Sequence, residues 1–277
     1  MDTEEYVGIV ARALAEDLGD RGDISSESSI PFDSRSRANL VARAPGVIAG
    51  LAVAAHAFHE VDPSIVFQPL VADGERVDAG GILARLSGRS RSILTAERTA
   101  INLLGRMSGV ATATAAFVDA VAGTGAHITD TRKTMPGLRA LDKYAVLAGG
   151  GVNHRMGLYD QVMIKDNHIA AAGDLQTAVS RARAAVGPGT RLTVEVEDLE
   201  QLAQAVQTDA DRVLLDNMDP DTLRRAVTMV DGVMETEASG GVTSDTVRAL
   251  AETGVDFISV GWITHSAPQL DIALDFV

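Results

Sequence analysis

The chain has 277 residues, 46% hydrophobic and 22% charged, with a formal net charge of −14 and no cysteine. That length serves one large domain or two smaller ones, each able to bury a core. The acidic balance argues against a protein that coats nucleic acid or anionic lipid, and the lack of cysteine excludes disulfides, thiolate nucleophiles and Cys-based metal centres. The opening Met1-Asp2-Thr3-Glu4-Glu5 reverses the basic start of a signal peptide. The longest strongly apolar run, residues 47–55, is too short to span a bilayer. A soluble, cytoplasmic protein without membrane or nucleic-acid partners is expected.

In chain order, residues 6–18 read as a helix. Short strand-like pieces follow at 37–42, 47–48, 65–69 and 81–86, the last two bracketing the turn-rich stretch 73–81. That hairpin resembles those of biotinyl and lipoyl carrier domains, but it lacks the turn lysine a carrier needs. His56 and His59 stand three apart in an Ala-rich helix with no acidic or Cys partner pattern, so they read as structural. Residues 95–121 read as a long bridging helix, with the boundary near Gly105–Gly109. This gives a β-rich α+β N-terminal domain (1–107) and an α/β domain (108–277), with the last residues able to pack back on the first.

From residue 126 a unit recurs: a β-branched run ending in a polar residue, a loop, then an amphipathic helix. The strands fall at 126–130, 161–164, 192–195, 212–215, 233–236 and 257–260. Strands alternating with helices imply parallel pairing. Six strands over so short a span favour a TIM-like barrel, an open sheet being the alternative. In a barrel the C-terminal strand ends converge on one face. Those ends carry Arg132 and Lys133, Lys165, Glu195, Asp216, Ser239-Gly240-Gly241 and Gly261.

The chemistry is read from these ends. Lysine is scarce: only Lys133, Lys143 and Lys165 occur, all within one short window, while arginine supplies the other 21 basic residues. Arg132-Lys133, His154-Arg155 after three glycines, and Lys165 place cations at successive exits. Each alone reads as solvated surface or plain loop. Together they repel one another and call for a ligand with several negative charges. Glu195 and Asp216 are either ion-pair partners or holders of magnesium and sugar hydroxyls, because Mg²⁺ uses one or two carboxylates plus substrate phosphates. Ser239-Gly240-Gly241 and Ser259-Val260-Gly261 offer backbone N–H groups that suit a phosphate.

Several motifs stand in order: Thr95-Ala96-Glu97-Arg98, Asp130-Thr131-Arg132-Lys133-Thr134-Met135-Pro136-Gly137, Gly149-Gly150-Gly151-Val152-Asn153-His154-Arg155, Ile164-Lys165-Asp166-Asn167-His168, Leu215-Asp216-Asn217 and Glu237-Ala238-Ser239-Gly240-Gly241. Over nearly the whole chain this resembles the quinolinate phosphoribosyltransferases. The resemblance implies a β-rich N-terminal domain on an incomplete barrel of about seven strands. It also implies a homodimer whose shared sites are completed by Arg98 of the second copy. The implied substrates are quinolinate and phosphoribosyl pyrophosphate with Mg²⁺, and the products nicotinate mononucleotide, CO₂ and pyrophosphate.

On that resemblance Arg98, Arg132, His154 and Arg155 hold the quinolinate carboxylates, and Lys133, Thr134 and Lys165 serve substrate anions at the same mouth. Glu195 and Asp216 bind ribose and magnesium, and with Lys165 form the catalytic group. Residues 239–241 and 259–261 cradle the 5′-phosphate. Which of Glu235 and Glu237 faces the cavity stays open. The alternatives are a related phosphoribosyltransferase-like protein of the molybdate-transport type acting on another aromatic acid, or a non-catalytic anion-binding protein on the same fold.

Overall fold

Strand alternation builds the first sheet: along Arg35–Ala42 the arginines at 35 and 37 are exposed, while Ala38, Leu40 and Ala42 are buried. The computed structural model describes residues 3–277. Its strands are β1 (Arg35–Ala42), β2 (Gly46–Val47), β3 (Val66–Pro69), β4 (Arg76–Val77), β5 (Ile82–Arg89), β6 (His127–Thr129), β7 (Val162–Ile164), β8 (Leu192–Val196), β9 (Arg212–Asp216), β10 (Glu235–Ser239), β11 (Phe257–Ser259) and β12 (Ile272–Phe276). The chain forms two compact units. One joins the residues up to Ala115 with Thr134–Gly150 and Ile263–Val277; the other is Ala116–Lys133 with Gly151–Trp262. No single cut separates them.

The first unit holds an antiparallel sheet in the order β12-β1-β5-β3 and a small β2-β4 pair. Helices Thr3–Leu18 and Leu51–Val61 pack together, with Tyr6 edge-on to His56. Two distant segments are tied in. A Cβ at Gly109 would lie 2.0 Å from the Pro268 carbonyl oxygen, so only glycine lets residues 268–270 lie against the helix Ser90–Ala120. The Leu270 N–H then donates to the Gly105 carbonyl at 3.0 Å. Residues 134–150 are held through Asp142, fully buried, which accepts from Arg106 Nε and Nη2 (both 3.0 Å) and from the Met135 N–H (3.1 Å). Burial raises the Asp142 carboxyl above its ordinary range, against the pull of Arg106.

The second unit is a parallel sheet in the order β6-β11-β10-β9-β8-β7. Register and alternation give it two unlike faces. One carries Val162, Ile164, Leu192, Val194, Val196, Val213, Leu215, Ala238, Ile258 and Val260, and helices such as Leu175–Val186, Leu199–Ala205 and Pro220–Val230 pack against their strands. Those three helices start where the carboxylates of Asp174, Asp198 and Asp219 accept the N–H of Thr177, Gln201 and Thr222 (2.7, 2.8 and 2.8 Å), leaving each start tied by its cap. The other face is polar and carries the charged strand ends.

Two expectations are corrected. The strand expected at 233–236 is β10, Glu235–Ser239; Val233 is 66% exposed and stands outside it. The sheet has six strands rather than about seven, with Val152 adding an isolated parallel bridge to Thr129 beyond β6. Among the described residues no ladder joins β7 to that edge, and no helix is long and apolar enough to cross a membrane.

Candidate anion site

The polar face of the second unit places its charges by strand alternation. Lys165 follows β7 and starts the helix Asp166–Ala172; its N–H donates to His168 Nδ1 at 3.1 Å, and its ammonium is ion-paired with Glu195 Oε2 on β8. Asp216 ends β9 and accepts from Asn217 Nδ2 at 2.7 Å. Asn217 is left-handed (φ 55°), and its N–H donates to the Ser239 carbonyl at 2.8 Å. A Cβ on Gly240 (φ 99°) would sit 2.1 Å from Asn217 Oδ1, so this glycine is demanded by the neighbouring turn itself.

The cationic loops come from two segments of the same unit. Arg132 and Lys133 are exposed after β6, where Thr131 Oγ1 accepts the Lys133 N–H at 3.0 Å. Asp130, buried beside them, accepts the His154 N–H at 2.8 Å. His154 Nδ1 accepts the Arg155 N–H at 2.7 Å, and Arg155 Nη1 donates to the Gln161 carbonyl at 3.3 Å. Arg155 is 7% exposed. Burial first, then repulsion from Arg132, lowers its pKa, with Asp160 and Glu195 pulling the other way. Arg132, Arg155, Glu195 and Lys165 therefore share one electrostatic neighbourhood.

Other expected residues lie elsewhere or are otherwise engaged. Thr134 and Arg98 belong to the first unit; the Thr134 hydroxyl accepts from Arg139 Nε at 3.0 Å, and Arg98 is exposed on the helix Ser90–Ala120. The Val260 N–H donates to the Thr129 carbonyl at 2.9 Å. The Ser259 hydroxyl donates to Glu237 Oε1, and His154 Nε2 stands 3.4 Å from that oxygen. Gly241 is left-handed (φ 59°) and exposed next to Gly240, and Gly261 is half-buried after β11. The triple glycine has a packing reason: a Cβ on Gly149 would lie 2.4 Å from the Ala111 carbonyl oxygen, within the first unit.

Sequence reasoning missed Asp130, Arg212 and Glu237 as the buried supports of these loops. The available signal was the Glu-x-Glu-x-Ser alternation at 235–239, which puts three polar side chains on one sheet face. Among the described residues no group of three or more His, Asp or Glu is arranged to hold a metal ion. Glu195 and Asp216 are oxygen donors on adjacent strands of one face, a set that fits an ion carried in by substrate phosphates rather than a resident one. A cavity of about 280 Å³ opens beside Glu195, lined by Asp166, Asp174 and Glu197 among others.

The parallel α/β sheet thus gathers arginine, lysine and two carboxylates at its carboxyl edge, the edge at which α/β proteins of this class bind their ligands. Residues 23–108 match the family model "Quinolinate phosphoribosyl transferase, N-terminal domain" and residues 110–275 its C-terminal domain. A quinolinate phosphoribosyltransferase [decarboxylating] of Nicotiana tabacum is 43% identical over 98% of this chain and 82% of its own length. A probable nicotinate-nucleotide pyrophosphorylase [carboxylating] of Bacillus subtilis is 43% identical over 94% of this chain and 89% of its own. The solved nicotinate-nucleotide pyrophosphorylase of Francisella tularensis superposes with a TM-score of 0.96 at 37% identity, covering 100% of this chain and 98% of that one. The chain belongs to the quinolinate phosphoribosyl transferase family.

Proposed function

We propose that the chain transfers the phosphoribosyl group of phosphoribosyl pyrophosphate to the ring nitrogen of quinolinate and releases CO₂, forming nicotinate mononucleotide. The observation that carries this reading is the crowding of guanidiniums at one mouth. Arg155 is buried, and its affinity for its own proton is lowered by that burial and by Arg132. A dicarboxylate and a pyrophosphate are the ligands that relieve such crowding.

In the reaction the C1–pyrophosphate bond breaks as the C1–nitrogen bond forms. CO₂ then leaves, the electron pair of the broken ring–carboxylate bond stays on that ring carbon as a carbanion stabilised by the adjacent pyridinium nitrogen, and a proton from solvent completes the product. Arg132, Arg155 and Arg98 serve the carboxylates, and Lys133 and Thr134 the anions at the same mouth. Lys165, released from Glu195, serves the leaving pyrophosphate. Glu195 and Asp216 hold ribose hydroxyls and steady positive charge at C1; together with the pyrophosphate oxygens they would hold Mg²⁺, which would supply neutralisation of the leaving group's charge. Residues 239–241 and 259–261 receive the 5′-phosphate. The catalysis is positioning and electrostatics.

The same reading takes the six-stranded sheet as most of an incomplete barrel, supported by the extra bridge at Val152. It also takes the chain as a cytoplasmic homodimer in which Arg98 serves the site of a second copy. The test is direct. Purified protein with quinolinate, phosphoribosyl pyrophosphate and Mg²⁺ releases CO₂ and forms nicotinate mononucleotide; turnover of nicotinate but not quinolinate overturns the reading.

A further inference from the structure

Glu237 sits wholly buried on the polar face of the parallel sheet, two residues before Ser239 on β10. Its Oε2 accepts from Arg212 Nη1 at 2.9 Å. Arg212 in turn donates Nε and Nη2 to Glu235 Oε2 (3.0 and 2.9 Å), stacks 3.7 Å above the Phe257 ring, and shares Glu235 with Arg191 (2.8 Å). Both glutamates of β10 therefore face the same side, as strand alternation requires. Two guanidiniums balance two carboxylates.

A buried ion pair is by itself weak evidence for anything beyond packing. What singles out Glu237 is its other oxygen. Oε1 accepts the Ser259 hydroxyl from β11 and faces His154 Nε2 from the 151–160 loop, so one atom joins two chain segments that carry expected site residues. The ring of His154 has only two nitrogens, and Nδ1 already accepts the Arg155 N–H. Its proton is then on Nε2, the nitrogen that stands 3.4 Å from Glu237 Oε1. Asp130 fixes the same loop from the other side through the His154 N–H. Burial opposes a charged Glu237, but the nearby His154 ring, the hydrogen bond from Ser259 and the charge of Arg212 outweigh it and bring its pKa down to about 2. It is a carboxylate throughout the neutral range.

We infer that Glu237 is a positioning residue for the substrate-anion site: it locks His154 as the Nε2–H tautomer and anchors Ser259, and through His154 Nδ1 it presets the backbone of Arg155. His154 is then an internal strut, and Arg155 makes the contact with the substrate carboxylate. This rests on the proposed quinolinate reaction. A donor arm held before the substrate arrives need not be ordered at binding.

The test uses Glu237→Gln in the full chain. Glutamine keeps the shape but cannot accept from Arg212 on one side and from His154 and Ser259 on the other. The quinolinate KM is expected to rise roughly tenfold or more, with kcat far less affected. A folded variant with native KM overturns the inference. Native protein supplies the second readout: ¹⁵N spectra of the His154 ring, with and without quinolinate. A ring protonated at Nε2 only, and undisturbed when quinolinate binds, supports the strut even where the variant does not fold. A proton on Nδ1, or a ring signal that shifts as a direct ligand's would, overturns it. Failure of the native protein to turn over quinolinate strikes the proposed reaction, while the ring tautomer is read without substrate.

Discussion

The two sheets of this molecule treat polar side chains in opposite ways. In the antiparallel sheet of the first unit, arginines 35 and 37 of β1 are exposed while Ala38, Leu40 and Ala42 are buried, and Arg85 on β5 is exposed beside buried Leu86. In the parallel sheet of the second unit the face opposite the packed helices is ionic, with Arg212, Glu235, Glu237, Glu195 and Asp216 on it. One sheet is stabilised by exclusion of water from an apolar layer; the other leaves a polar layer that must be satisfied internally and can be extended by a ligand. The second is the layer suited to the proposed chemistry, because preset charges cost no reorganisation when a substrate arrives.

The comparison is open to attack at both ends. Lys165→Ala removes a cation from the edge of the ionic face and is expected to lower kcat/KM roughly 10²–10³-fold, with an unchanged circular dichroism spectrum. Near-native turnover would remove Lys165 from the site. Leu40→Ala on the apolar layer is expected to cost about 2–5 kcal/mol of stability through the cavity it leaves, measured by urea unfolding, while kcat/KM per folded molecule stays native. A large kinetic effect there would mean that the two sheets are not divided in labour as described.

A smaller effect separates the sheets by acid. The Glu237 carboxyl, lowered from 4.5 to about 2 in the fold, binds its proton more weakly there than in the unfolded chain. The stability it adds is complete above pH 4.5 and is lost as pH falls toward 2. Its size is on the order of 3 kcal/mol. The native unfolding midpoint should fall more steeply across that window than that of Glu237→Gln. Parallel slopes would show that the buried carboxylate adds nothing to the pH response.

Much of this was legible in the sequence, for local reasons. β8 and β9 are read within a residue because Leu192-Thr193-Val194 and Val213-Leu214-Leu215 are β-branched or aliphatic runs closed by a single polar residue. The positions of Glu195 and Asp216 followed from those strands, and that of Lys165 from β7. β10 was misplaced because its inward side is Glu235, Glu237 and Ser239, a pattern that reads as loop unless the core on that side is known to be ionic. The support of His154 by Glu237 and Asp130 was hidden for a related reason: it joins residues far apart in sequence. Membership of 134–150 in the first unit depends on Arg106 meeting Asp142, a pairing no periodicity announces.

The place of residues 263–277 bears on how the chain is made. Domains commonly fold as they leave the ribosome, the N-terminal part first. Here every strand of the parallel sheet has been synthesised by Ser259, yet the antiparallel sheet still lacks β12, and the groove beside Gly109 has nothing to hold. The part translated first is therefore the part completed last. During synthesis the edge of β1 waits, unpaired, for residues 272–276, and a translation product stalled before them would expose that edge to other nascent chains.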